Sequence, residues 1–475
     1  MSRSTLAVCA LVAALAAPAM AVAADNAITR ENARPGTTEW LLRNHEESRP
    51  GTQTWRREKA IEGYCSHASI GAGETLTVFV SADPASAFQV DFYRMGYYGG
   101  TGGRHVLRKG PLEGTPQPTP ADGPKAVIEC RWKPALSFEI PRDWISGVCL
   151  GKLTALSSKA ESYVIFIVRD DRMADLLFQC SDTTWQSYNR WPAWRSLYDF
   201  GDNKWHTRAG NDVGFDRPYA VYYNGLPADT QPITNGSGEF LLWEFPLAFW
   251  LEKEGYDVTY ISNLDTHADG KGLLRGKAFL SVGHDEYWTQ QMYENVGRAR
   301  DEGVSLAFLS GNSISGIIQL RPSSDGRPDR VFGQLRRFSG ENELMGSMSY
   351  GVGMADWVCQ APDYWAFAGT GMKKGEAIKD LVGWEYHGQP VGPQKGLVVL
   401  AGSPIRDKPN AQHHAAVIYD GPKGNLVFNA GTCWWNMVLS APPGFKNPPK
   451  RDFRAGDVRV QQMTRNLLNR MIGAK

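Results

Sequence analysis

Lys277-Ala278-Phe279-Leu280-Ser281-Val282-Gly283-His284-Asp285-Glu286 reads as a buried strand that leaves the core through a glycine and delivers three proton-carrying side chains. After it, Gln290–Asp301 has apolar residues at helical spacing and stops at Gly303. Val304–Leu309 is then a second apolar run, ending in Ser310-Gly311-Asn312. Strand, helix and strand joined by short turns predict a parallel α/β sheet. Upstream, Ala174–Gln179 is another buried strand, followed by Ser181-Asp182-Thr183-Thr184. Phe240–Glu254 reads as a helix that ends at Gly255 and feeds a strand at Val258–Ile261. Downstream, Gly396–Leu400, Ala415–Tyr419 and Asn425–Asn429 extend the sheet, and Val458–Ile472 is a helix against it. In open parallel sheets ligands bind beyond the carboxyl ends of the strands. Those ends carry Asp182, His284, Glu286 and Asn312, so residues 171–475 are expected to form the catalytic α/β domain.

The preceding residues, 25–170, have another rhythm. Thr75–Val80, Phe88–Tyr93, Lys125–Cys130, Gly147–Ala155 and Glu161–Val168 alternate or run apolar between Gly, Pro and Asp. Short strands with frequent turns and no helical pattern predict a β-sandwich-like domain, with Gly110 to Pro124 as a surface loop. Residues 1–24 are expected to be a signal peptide: Arg3 precedes an apolar stretch from Leu6 to Val22, and small residues at Ala19–Ala24 suit cleavage. No later run of about 18 apolar residues follows. The mature chain is therefore expected to be soluble, and periplasmic or secreted. Its six remaining cysteines permit disulfides but form no CxxC pair. With 51 basic against 50 acidic residues, nothing points to a nucleic acid or an anionic membrane as partner.

Common catalytic motifs are absent: no GxSxG, no HExxH and no Walker loop occurs. His284-Asp285-Glu286 holds the HxE of zinc deaminases without the PCxxC that supplies their thiolates. Where amidotransferase-like α/β domains place a nucleophilic cysteine, this chain has Ser310-Gly311-Asn312, which disfavours thiol catalysis. The remaining clusters are Thr184-Trp185-Gln186-Ser187-Tyr188-Asn189, Phe215-Asp216-Arg217-Pro218-Tyr219 and Gly283-His284-Asp285-Glu286-Tyr287-Trp288. Further strings are Ile61-Glu62-Gly63-Tyr64, Tyr93-Arg94-Met95-Gly96-Tyr97-Tyr98-Gly99-Gly100 and Val427-Phe428-Asn429-Ala430-Gly431-Thr432.

Across nearly the whole mature chain, these strings resemble the large (beta) subunit of N,N-dimethylformamidase. The resemblance implies a mononuclear ferric iron held by two tyrosines and a glutamate: Tyr188, Tyr219 and Glu286 by motif, with Tyr222 and Tyr223 close to the second position. It also places His284, Asn312 and Glu385 around the metal. Hard oxygen donors suit such an ion. On that basis Glu385 or His284 is expected to move the proton, and Asn312 to donate to the oxyanion. Trp185, Tyr287 and Trp288 are expected to exclude water. The implied substrate is a small, N-substituted amide, and the implied partners are a small subunit and a second copy of the chain. Taken singly, each residue has an ordinary reading: buried tyrosines with satisfied hydroxyls, a helix cap at Glu286, a turn histidine at His284. A non-catalytic periplasmic or secreted ligand-binding protein, for example for carbohydrate, is the alternative of another class.

Overall fold

In a computed structural model of the chain, the described residues are 25–44, 57–199, 201, 206, 208–220, 235–390, 394–408, 412–448 and 451–473. The expected signal peptide, and Tyr222 and Tyr223, lie outside them. Glu62–Cys65, Thr75–Ser81 and Pro134–Glu139 form an antiparallel three-stranded sheet. Ser69–Gly71, Ser86–Met95, Gly103–Gly114, Gly147–Ala155 and Glu161–Arg169 form a five-stranded one. Side chains of this second sheet alternate between two cores, as the two-residue period of a strand requires. Phe88, Val90, Phe92, Leu153, Val164 and Phe166 meet Leu76, Val78 and Phe138 of the first sheet. Tyr93, Met95, Val148, Leu150, Tyr163 and Ile165 turn the other way, into the largest core. Burial on both faces explains why these strands read as near-continuous apolar runs. Two expectations fail here. Lys125–Cys130 is not a strand, because Lys125 and Ala126 sit at positive φ and break the extended run. Gly103–Gly114 continues as strand into the stretch expected to be a loop, passing Gly110-Pro111 with a register shift opposite Phe88 and Val90.

Beyond residue 170 a nine-stranded sheet dominates. Val258–Ser262, Ala174–Cys180, Gly276–Gly283, Ser305–Ser310 and Leu426–Asn429 are parallel neighbours. His413–Asp420, Glu385–Pro390 and Ser347–Val352 follow as antiparallel strands, with Val398–Pro404 on His413–Asp420. The sheet is thus mixed, not the parallel one expected. The turn at Gly421–Gly424 has room for no crossover helix, so its two strands must run antiparallel. A four-stranded sheet (Asp212–Gly214, Val331–Arg337, Gly316–Arg321, Tyr287–Thr289) and the pair Ala355–Val358 and Ala377–Val382 complete a mixed α/β protein rich in strand. No helix among the described residues is long and apolar enough to cross a membrane.

The Tyr93–Gly100 string forms a joint between the five-stranded sheet and the helix Phe245–Glu254. Arg94 Nη2 donates to Glu252 Oε1 at 2.9 Å, with both side chains buried. Glu252 also accepts from Tyr260 Oη at 2.9 Å and Asn32 Nδ2 at 2.8 Å. A Cβ at Gly96 would lie 2.2 Å from Glu252 Oε2, so only glycine lets the strand pass this carboxylate.

Candidate active site

The helix Asp182–Tyr188 begins where the strand Ala174–Cys180 ends, and its threonines hold the Gly283–Trp288 loop. Thr184 Oγ1 accepts from the backbone N–H groups of Glu286 (3.0 Å) and Tyr287 (3.2 Å), and Thr183 Oγ1 donates to the Tyr287 carbonyl at 2.6 Å. Gly283 turns the chain at φ +70°, where a Cβ would press on Trp243. Asp285 points inward and accepts from Gln179 Nε2, Asn263 Nδ2 and Ser281 Oγ. His284 and Glu286, on either side of it, face the site. Asn312 follows the strand Ser305–Ser310 at φ +52°, a conformation asparagine tolerates better than most residues. Glu385 opens an antiparallel strand. It is brought in by Gly311, whose absent Cβ leaves room for the Glu385 carbonyl, and by Thr432 Oγ1, which donates to the Leu381 and Gly383 carbonyls.

Four elements thus place five buried side chains in contact. Tyr188 Oη donates to Glu286 Oε2 at 2.5 Å. Asn312 Nδ2 donates to Glu286 Oε1 (3.1 Å) and Glu385 Oε2 (2.9 Å). His284 Nε2 is 2.7 Å from Glu385 Oε2 and 3.4 Å from Glu286 Oε2. One donor atom each from His284, Glu286 and Glu385 falls within 4.8 Å of the others, a spacing one metal ion can bridge. Burial lifts the Glu385 carboxyl above the usual carboxylate range and the neighbouring Glu286 lifts it further, against the hydrogen bonds from His284 and Asn312. Burial alone would lower the His284 imidazole, but Glu385, Glu239 and Glu286 together hold it well above its ordinary value. Burial, and then Glu286, push the Tyr188 phenol well up. Among the described residues no lysine or arginine pairs with Glu286 or Glu385.

A family model described as N,N-dimethylformamidase beta subunit-like, C-terminal, matches residues 89–449. The chain belongs to that family. No curated protein matches the sequence. Membership in the dimethylformamidase beta subunit-like family carries amidohydrolase chemistry as its general character, and it makes the chain subunit-like, compatible with a small-subunit partner. Of the residues its motifs singled out, the structure brings Tyr188, His284, Glu286, Asn312 and Glu385 together.

Tyr219 has other neighbours. Its ring meets Trp185 at 6.3 Å, and it lines a cleft with Gln186, Arg217, Phe215 and Arg330. Burial raises its phenol, as does Asp182, while Gln186 hydrogen-bonds to it. The phenols that do stand beside Tyr188 are Tyr198, stacked at 5.8 Å, and Tyr287 at 6.0 Å, and their hydroxyls hydrogen-bond to each other. Trp288 is a further correction. It points into another core against Phe279 and Phe308, because alternation along Tyr287–Thr289 sends it to the far face. Trp185 is a second neighbour only, its Nε1 donating to Glu244 at 2.8 Å. Asn312 Nδ2 donates to both Glu286 and Glu385, so its amide links the two carboxylates. Sequence reasoning passed over Tyr198 and Glu239. Glu239 had a signal in Gly236-Ser237-Gly238-Glu239, an acid set by two glycines before an apolar helix. The six cysteines outside residues 1–24 are buried free thiols, and burial pushes the Cys433 sulfur nearest the site to about 12. Such a thiol is a poor nucleophile.

Proposed function

We propose that the chain is an exported, iron-dependent amidohydrolase for small linear amides, N-substituted ones such as N,N-dimethylformamide included. The observation that supports this most is the buried contact of Tyr188, Glu286, Glu385, His284 and Asn312 beyond the carboxyl ends of three parallel strands.

The donor set fits a hard trivalent or divalent ion: a phenol and two carboxylates converge, and among the described residues the His284 imidazole is the sole side chain of cationic type against them, which leaves negative charge for a metal ion to balance. Tyr188 and Glu286 would hold it, with Glu385 and the phenols of Tyr198 and Tyr287 close by. Tyr219, the third ligand its motif implied, lines a cleft with Gln186 and Arg217. Ferric iron held there would supply Lewis acidity toward an amide carbonyl and toward water. Glu385 Oε2, hydrogen-bonded to His284 Nε2, receives the proton of the attacking water and returns it to the departing amine nitrogen. Asn312 keeps the Glu286 and Glu385 carboxylates fixed relative to each other. The rings of Tyr188, Tyr198, Trp243 and Trp384 surround His284 and these carboxylates, which keeps bulk water out and favours a small, weakly polar substrate.

Expression with iron, elemental analysis, the visible spectrum and amine release from N,N-dimethylformamide and related formamides test this reading. One iron per chain, a phenolate charge-transfer band and amine release are expected. A colourless protein that retains no iron and cleaves none of these amides would sink it in favour of ligand binding without turnover.

A further inference from the structure

Glu239 is a fully buried carboxylate that the proposed reaction leaves without a role. It follows Gly236 and Gly238, both at positive φ, where a Cβ would collide with the Tyr163 backbone or the Trp185 ring. These glycines allow the chain to pass close beneath the site and enter the π-helical turn Phe240–Glu244. Wide turns of that kind recur where a side chain must be aimed. Neither oxygen of Glu239 accepts a hydrogen bond from a described residue, yet Oε2 lies 3.8 Å from His284 Nδ1. His284 Nδ1 has no hydrogen-bond partner either, nor has Trp243 Nε1 in the same turn, whose ring is 6.3 Å from the imidazole. An unpaired buried carboxylate costs several kcal/mol, roughly, in folding free energy. Packing gives no reason to keep it.

We propose that Glu239 is the positioning residue of His284. A carboxylate can only accept, so Glu239 keeps a proton on Nδ1 and turns Nε2 toward Glu385 and Glu286. The imidazole then stands between two carboxylates: Glu239 on Nδ1 sets its orientation, and Glu385 on Nε2 exchanges the proton used in the reaction. This is the logic of a base oriented by a third group, applied to Glu385, His284 and Glu239 in that order. The inference rests on the amidohydrolase reading for its kinetic consequence, but not for the state of the imidazole.

The test compares Glu239→Gln and Glu239→Asp with the wild-type full chain. Glu239→Gln keeps the volume and removes the charge. It is expected to lower kcat about 100-fold with KM little changed. Iron content and the visible band should stay as they are, and Tm should change little. Glu239→Asp keeps the acceptor at a greater distance and is expected to recover part of kcat. Unchanged kcat in Glu239→Gln would overturn the proposal, as would a loss of kcat that tracks losses of iron and Tm. A second readout needs no turnover. In chain labelled with 15N-histidine and freed of iron by a chelator, the His284 signals, assigned with His284→Gln, should show a protonated Nδ1 that Glu239→Gln alters. Identical His284 signals in wild type and Glu239→Gln would overturn the positioning role even if no amide proves to be a substrate. Altered signals beside a wild type without iron or turnover would uphold the positioning role and reject only the reaction.

Discussion

Removing the amide of Asn312 should loosen the site more than any other single change that leaves the acidic and phenolic donors in place. Its Nδ2 joins Glu286 Oε1 to Glu385 Oε2 at 3.1 and 2.9 Å, whereas His284 Nε2 closely reaches only Glu385 Oε2, at 2.7 Å against 3.4 Å to Glu286 Oε2. A hydrogen bond to a charged group contributes about 1.5–3 kcal/mol, so two give roughly 3–6 kcal/mol as a ceiling. One donor nitrogen serving two acceptors, with some relaxation afterwards, brings the expectation to about 2–4 kcal/mol. The backbone complicates the choice of variant. Asn312 lies at φ +52°, where alanine is strained by roughly 1–2 kcal/mol and glycine is not. Asn312→Gly therefore isolates the amide, and Asn312→Ala should be less stable than Asn312→Gly by about that strain. Denaturant unfolding of metal-free protein reads the stability, and competition with a chelator reads iron affinity. Because the amide orients two candidate ligands, iron should bind about 10–100-fold more weakly in Asn312→Gly. If Asn312→Gly unfolds at the wild-type denaturant concentration and holds iron as tightly as wild type, the clamp role is wrong.

Three other outcomes follow from the same geometry. Glu286→Gln and Tyr188→Phe should each reduce retained iron and weaken or shift the visible band, whereas Tyr219→Phe, altered in its cleft with Gln186 and Arg217, should keep both; elemental analysis and absorbance decide. The buried Asp182 carboxyl is raised by burial to about 8, helped by Asp265 and Asp285 against the Asn263 N–H. Its folded pKa exceeds the unfolded value, so the stability it contributes is complete below about pH 4 and lost as pH rises to about 8, at up to about 1.4 kcal/mol per unit. Asp182→Asn should accordingly gain stability relative to wild type at pH 7.5 compared with pH 5, measured by urea unfolding at both. Arg94→Met leaves Glu252 buried without its cation and should cost about 3–5 kcal/mol of stability; a double substitution with Glu252→Leu should recover much of it, as a double-mutant cycle in denaturant would read.

What was legible in the sequence was local. The strand Gly276–Gly283, the helix Gln290–Asp301 with its Thr289 cap and the strand Ser305–Ser310 follow from periodicity and turn chemistry, and they carry His284, Glu286 and Asn312 to one edge. Tyr188 also follows a strand exit, but its candidacy as a ligand rests mainly on the family motif. Glu385 has no such signal. It starts an antiparallel strand, and what aims it is a glycine at 311 and a threonine at 432, neither adjacent to it in sequence. The string that carries Tyr219 has a structural use of its own. A string such as Asp216-Arg217-Pro218-Tyr219 advertises rigidity, and the structure uses it for that: Arg217 is buried and donates to the carbonyls of Gln186, Asn189, Trp191, Arg195 and Gly214. Five carbonyls from separate turns gathered on one guanidinium make a knot that fixes the loop behind the Asp182–Tyr188 helix. Tyr188 depends on that helix for its position, so the DRPY string acts on the site by holding the helix that carries this candidate ligand in place. Arg217→Lys, unable to reach all five carbonyls, should therefore lower iron affinity and stability together, while Tyr219→Phe leaves the iron in place.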